Sequence, residues 1–165
     1  MAILSTDIKY RLSGGASNST ASASLGGAMS TTTDAPASLW DDTGSAEAAA
    51  GRVEYRCIYV LNNNGTDSGT NGKIWIQANT NSADDTLDIG IGTAAISGTE
   101  QTVANETTAP TGVTFSSAAN EGAALAIGTL TAGQSRSVWI RRTTTAGAAA
   151  TASNTYTLRS KFDTV

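Results

Sequence analysis

No histidine occurs anywhere in the 165 residues, and cysteine appears once, proline twice and charged side chains in only 15% of positions. Without histidine the chain lacks the commonest acid–base side chain near neutral pH and the commonest transition-metal ligand, and a Ser-His-Asp triad is impossible. A lone cysteine makes no internal disulfide, and Cys57 sits in an apolar run where a thiol acts as a small hydrophobe. No stretch approaches the ~20 apolar residues needed to span a bilayer. Ten Lys plus Arg against fourteen Asp plus Glu give a net charge of −4, and the basic residues are scattered singly apart from Arg141 and Arg142. That pattern offers no stripe for tracking phosphates, so neither nucleic acid nor membrane is an expected partner. The beginning, MAILSTDIKYRLSGG, reaches charge at Asp7 and Lys9 and has neither the basic start nor the apolar centre of an export signal, so synthesis in a cytoplasm is expected.

What is present is alternation. In VEYRCIYVL (53–61), Val53, Tyr55, Cys57, Tyr59 and Leu61 share one face and Glu54, Arg56, Ile58 and Val60 the other, as expected of a central strand with apolar residues on both sides. NNNGTDSGTNG (62–72) follows as a turn region. KIWIQAN (73–79), TLDIGIG (86–92), GQSRSVWIRRT (133–143) and SNTYTLRSKF (153–162) alternate likewise, as does 7–12 with Ile8, Tyr10 and Leu12; 112–116 and 123–130 alternate less clearly. About eight strands at this spacing predict an all-β fold: a single-domain antiparallel β-sandwich, immunoglobulin-like or related, over residues 1–165. SAEAAAGR (45–52) predicts one short helical turn ended by Gly51, and 143–153 a hairpin tip. Residues 13–37, rich in Gly, Ser, Ala and Thr, predict a long surface excursion within an N-terminal region (1–40) ahead of a sandwich core at 53–165. Its sharper alternative is an arm that orders only against neighbouring subunits, with Leu25, Met29, Leu39 and Trp40 as anchors.

The remaining features carry little chemistry. Asp41, Asp42, Asp84, Asp85 and Asp88 match no EF-hand spacing and read as solvated loop carboxylates, so no metal is expected. GGAS and SLGGAMS lack the Lys-Ser or Lys-Thr of a phosphate loop, no G-x-S-x-G elbow occurs, and no catalytic residue or cofactor is expected. Asn18, Asn64 and Asn105 head N-x-[ST] sequons of the kind chance supplies in such a composition. Trp75 and Trp139 are read as core anchors, with an interface role as the alternative, and Trp40 as the better interface residue.

IKYRLSGGASNS (8–19), LWDDTGSAEAAAGRVEYRCIYVLNNN (39–64) and LTAGQSRSVWIRRTTTAGAAA (130–150) resemble a group of small virion proteins of tailed bacteriophages. A strand ending in N-N-N-G, followed later by L-x-A-G-Q-x-x-x-V-x-I, is also similar to immunoglobulin-like modules on phage surfaces. The resemblance implies a structural protein on the capsid exterior, made in the host cytoplasm. It would be a decoration or cement protein binding the major capsid protein and neighbouring copies of itself, as a homo-oligomer or as lattice-bound copies. The rival readings are a tail, baseplate or fibre component and a carbohydrate-binding adhesion module. From the residues alone, the expected partner contacts are the first strand and the tract after it: Ile3, Leu4, Ile8, Tyr10, Leu12, Leu25, Met29, Leu39 and Trp40.

Overall fold

The computed structural model describes residues 3–151 and 154–164. The alternating segments become antiparallel strands, because a period of two sends one row of side chains into a core and the other to the opposite face. In chain order they are β1 (Ile8–Leu12), β2 (Gly26–Gly27), β3 (Arg52–Asn62), β4 (Gly69–Ala78), β5 (Asp85–Ile91), β6 (Glu100–Thr102), β7 (Leu125–Leu130), β8 (Ser135–Thr144) and β9 (Thr157–Thr164). A first sheet has the order β1-β3-β8-β5, a second the order β7-β4-β9, and β2 pairs with β6 in a small third sheet. The chain is an all-β sandwich.

The main core lies between the two larger sheets. Leu12, Ile58, Val60, Leu87, Ile89, Val138 and Ile140 from the first meet Ile74, Ile76, Ile127 and Leu130 from the second. Behind the first sheet, Tyr55, Cys57 and Trp139 form a second cluster with Val103, and Leu25, Val113 and Phe115 pack on it. The two clusters divide β3 and β8 by parity, as alternation requires, and Cys57 lies directly opposite Trp139 across the strands. The first sheet is therefore buried on both faces. This explains why β3 stays buried from Glu54 to Asn62 without an exposed row.

The layer behind the first sheet is built by the Gly/Ser/Ala/Thr tract together with residues of 103–115. Rather than extending away, residues 13–37 fold onto their own chain through hydroxyl and amide hydrogen bonds. The Gly26 amide donates to Ser13 Oγ (3.1 Å) and Ser30 Oγ to the Asn18 carbonyl (2.8 Å), and Ser13, Ser24 and Ser30 are fully buried. The tract also closes the outer edge of β1: the Ser30 amide donates to the Leu12 carbonyl (2.8 Å) and the Ala35 amide to Tyr10 (2.6 Å). At the far edge, Asn79 bonds both the amide and the carbonyl of Leu87 (2.9 Å each), and Ser116 exchanges backbone bonds with Ile89. Both edges of the first sheet are thus capped, which removes the usual template for aggregation.

Among the described residues nine strands form where about eight are expected; β2 and β6 are too short to carry an alternating signal, and 112–116 supplies only the bridge from Ser116 to Ile89. The short helix α1 (Ser45–Ala50) forms as predicted, its first turn closed by the Glu47 carboxylate accepting from the Gly44 amide (2.8 Å) and its end set by Gly51 at φ 76°. β8 runs on to Thr144, and the predicted tip includes residues 152–153, which lie outside the described residues. The same holds for the start of the strand predicted over 153–162, and for Met1 and Ala2 of the segment read for an export signal. Among the described residues no helix is long and apolar enough to cross a membrane.

Candidate functional site

At one end of the first sheet the core-facing row changes from apolar to charged. Parity places Glu54 and Arg56 of β3 on the face of Ile58 and Val60, Arg142 of β8 on that of Val138 and Ile140, and Asp85 of β5 on that of Leu87. Arg142 holds Asp85 through two donors (2.8 and 3.0 Å), and Arg52 Nε lies 3.1 Å from Glu54. Arg56, only 1% exposed, bonds Glu106, and Arg52 reaches both Glu106 and Glu47. Trp40 covers this end, with the Arg56 guanidinium 5.2 Å from its ring centre.

Beside the network opens a cleft of about 1150 Å³, lined in part by Trp40, Thr80, Asp85, Arg142, Asn154 and Tyr156. Asn154 donates to Asp85 (2.8 Å) and accepts from the Asn81 amide (2.8 Å), so the floor of the cleft is already hydrogen-bonded. The carboxylates of Asp41, Glu54 and Glu106 approach within 4.8 Å of one another, a spacing a cation could use. Arg52, Arg56 and Arg142 occupy the positions around them, however, so their charge is compensated from within. Burial raises the pKa of Glu54 against the pull of Arg52, which makes the cluster more an ion-pair joint than a ligand set.

A second buried carboxylate, Glu100, has no arginine beside it. It accepts from Ser137 Oγ (2.6 Å), the Ala94 amide (3.0 Å), Thr93 Oγ1 (3.0 Å) and the Gln101 amide (3.1 Å). Burial pushes its pKa up, but these four donors outweigh burial and hold it at about 2. The Glu100 amide donates in turn to the Tyr59 hydroxyl, which donates to the Gly27 carbonyl (2.6 Å), tying β6, β3 and β2 together.

The residues expected to contact a partner are spread through the fold. Leu4 is exposed (62%), while Ile3 and Met29 are half-buried. Ile8 and Tyr10 pack against the main core, and Tyr10 donates to Ser160 (2.9 Å). Leu12 and Leu39 lie inside that core, Leu25 packs on the second cluster, and Trp40 sits half-buried over Arg56. Trp75 and Trp139 are buried, as the anchor reading expects, which takes them away from the interface alternative. Asp85 and Asp88 are not solvated loop carboxylates: both lie on β5, paired with Arg142 and Arg141. The sequence did hold a signal for this network, since charged residues on the same parity as Ile58 and Val138 must enter the core and must be paired there. Compared with protein-family models, curated proteins and solved structures, the chain matches none.

Proposed function

We propose that this chain is a structural virion protein of a tailed bacteriophage, a capsid decoration protein that binds the outer surface of the major capsid protein lattice and stabilises the head. The observation that carries the reading is spatial. The three stretches that resemble phage virion proteins, separate in sequence, contain β1, α1 with β3, and β8, and these strands lie side by side in the order β1-β3-β8. The second and third stretches are also joined at their far ends by the Gly147 amide donating to the Ala48 carbonyl (2.8 Å). The resemblance thus falls on one continuous unit of the fold, the sheet on which both cores are built.

The chemistry of the interior fits a non-enzymatic role. The buried titratable groups described above are committed to one another or to the backbone, and a joint of compensated charges holds shape rather than performing turnover. The capped edges of the first sheet suit a protein displayed at high local density. Cryo-electron microscopy of intact particles of the phage that encodes the chain tests the proposal. Density of this sandwich repeated over the head lattice is the expected result; a bare head with the density on the tail, or its absence from the particle, would overturn it.

A further inference from the structure

Decoration makes no use of the cleft of about 1150 Å³ at the end of the first sheet. Buried hydroxyls ordinarily have a hydrogen-bond partner. Among the described residues only two lack one, Thr43 Oγ1 and Thr144 Oγ1, and both residues line this cleft. Thr144 is only 5% exposed, so bulk water does not satisfy it. The rest of the floor is fixed. Both carboxylate oxygens of Asp85 are taken, by Arg142 (3.0 and 2.8 Å) and by Asn154 (2.8 Å), and Thr80 Oγ1 donates to the Asp85 carbonyl. Two aromatic rings, Trp40 and Tyr156, border the same space, and the Arg56 guanidinium 5.2 Å from the Trp40 ring centre holds the indole in place.

The lining chemistry narrows the ligand by elimination. Its charged side chains are Asp41, Asp42, Asp85 and Arg142, three acids to one base, which disfavours an anion. A cation finds no buried carboxylate to hold it, because Asp85 is paired and Asp41 and Asp42 are exposed. A wholly apolar ligand would leave Thr43 and Thr144 unpaired at a cost. What fits is an uncharged molecule that carries hydroxyls on one side and an apolar face on another. We propose that the cleft lined by Trp40 and Tyr156 binds a neutral saccharide, whose hydroxyls partner Thr43 and Thr144 and whose C–H face packs on the aromatic rings. The inference does not rest on decoration, since a sugar site serves equally on a head or on a tail.

The test exposes the purified chain to an array of neutral and acidic glycans and then titrates the strongest neutral ligand while tryptophan fluorescence is followed, Trp40 being the one tryptophan in the lining. Saturable binding of neutral glycans, unchanged between low and high salt, is the expected result. Thr144→Val keeps the side-chain shape and removes an unpaired hydroxyl, so it should melt no lower than wild type yet bind about fivefold more weakly, the worth of one neutral hydrogen bond. Tyr156→Ala should bind about tenfold more weakly. Circular dichroism checks its fold, and if it fails to fold, Thr144→Val carries the test alone. No binding to any glycan, binding confined to acidic glycans, or full affinity in Thr144→Val overturns the sugar site. A lower melting temperature in Thr144→Val also overturns it, because the hydroxyl would then serve the fold rather than a ligand. Each of these outcomes leaves the position of the chain on the particle to be read from the particle itself.

Discussion

Glu100 concentrates the residue-scale physics of this protein. An isolated buried carboxylate would normally be neutralised, yet four donors hold this one ionised with a pKa of about 2. Because its folded pKa lies below the ordinary value of about 4.3, its contribution is present above that value and is lost as pH falls from about 4.5 towards 2. Two units of depression correspond to roughly 3 kcal/mol, so a folding titration should show stability falling over this window, and Glu100→Gln should flatten that fall while lowering stability at pH 7. An unchanged acid slope in the variant would show that other groups control it. Nothing in the sequence near TEQT distinguishes Glu100 from a surface glutamate. Its partners Ser137 and Thr93 are distant in the chain, and only folding brings them to it.

At the scale of elements, β3, β5, β8 and β9 were legible because each alternates over several residues; burial itself alternates in β5 and in β9, which buries Leu158, Ser160 and Phe162 only partly and exposes Thr157, Arg159 and Lys161, whereas β3 and β8, covered on both faces, stay buried over most of their length. The tract at 13–37 was not legible. Its order comes from serine and asparagine hydrogen bonds to backbone and from glycines in conformations other residues rarely adopt, features that composition describes as linker. Gly26 is the sharpest case: φ is +94°, and a Cβ there would lie 1.8 Å from the Gln101 carbonyl oxygen. Gly26→Ala should therefore destabilise the protein by at least ~2 kcal/mol in urea unfolding, since strain and displacement of β6 add. A change below about 0.5 kcal/mol would show that β2 and β6 contribute little to the folded state.

The whole molecule is three layers: the second sheet, the first sheet, and the folded tract with β6. Cys57 reports on the third layer, because it is fully buried beneath it and its amide donates to the Ser24 carbonyl (2.8 Å). Burial raises the thiol's pKa further, so the reactive thiolate is scarce as well as shielded. If the tract unfolds only with the sandwich, labelling of Cys57 by a thiol reagent should be at least ~1000-fold slower in the native protein than in denaturant, tracking global stability. Rapid labelling of folded protein would mean that the tract lifts away on its own.

Local pattern by itself determined that the chain is all-β, where its longer strands run and which side chains share each face, because period-two alternation and turn residues act within a few positions of one another. It also determined that Cys57 is a buried thiol and that Trp75 and Trp139 are core residues, since each sits in an apolar alternating run. Tertiary structure alone decided the sheet order, the capping of both edges of the first sheet, the pairing of Arg56 with Glu106 and the meeting of Trp40 and Tyr156 along one cleft. These depend on which distant segments become neighbours. Hydrogen bonds and ion pairs between them have no period in the chain from which they could be read.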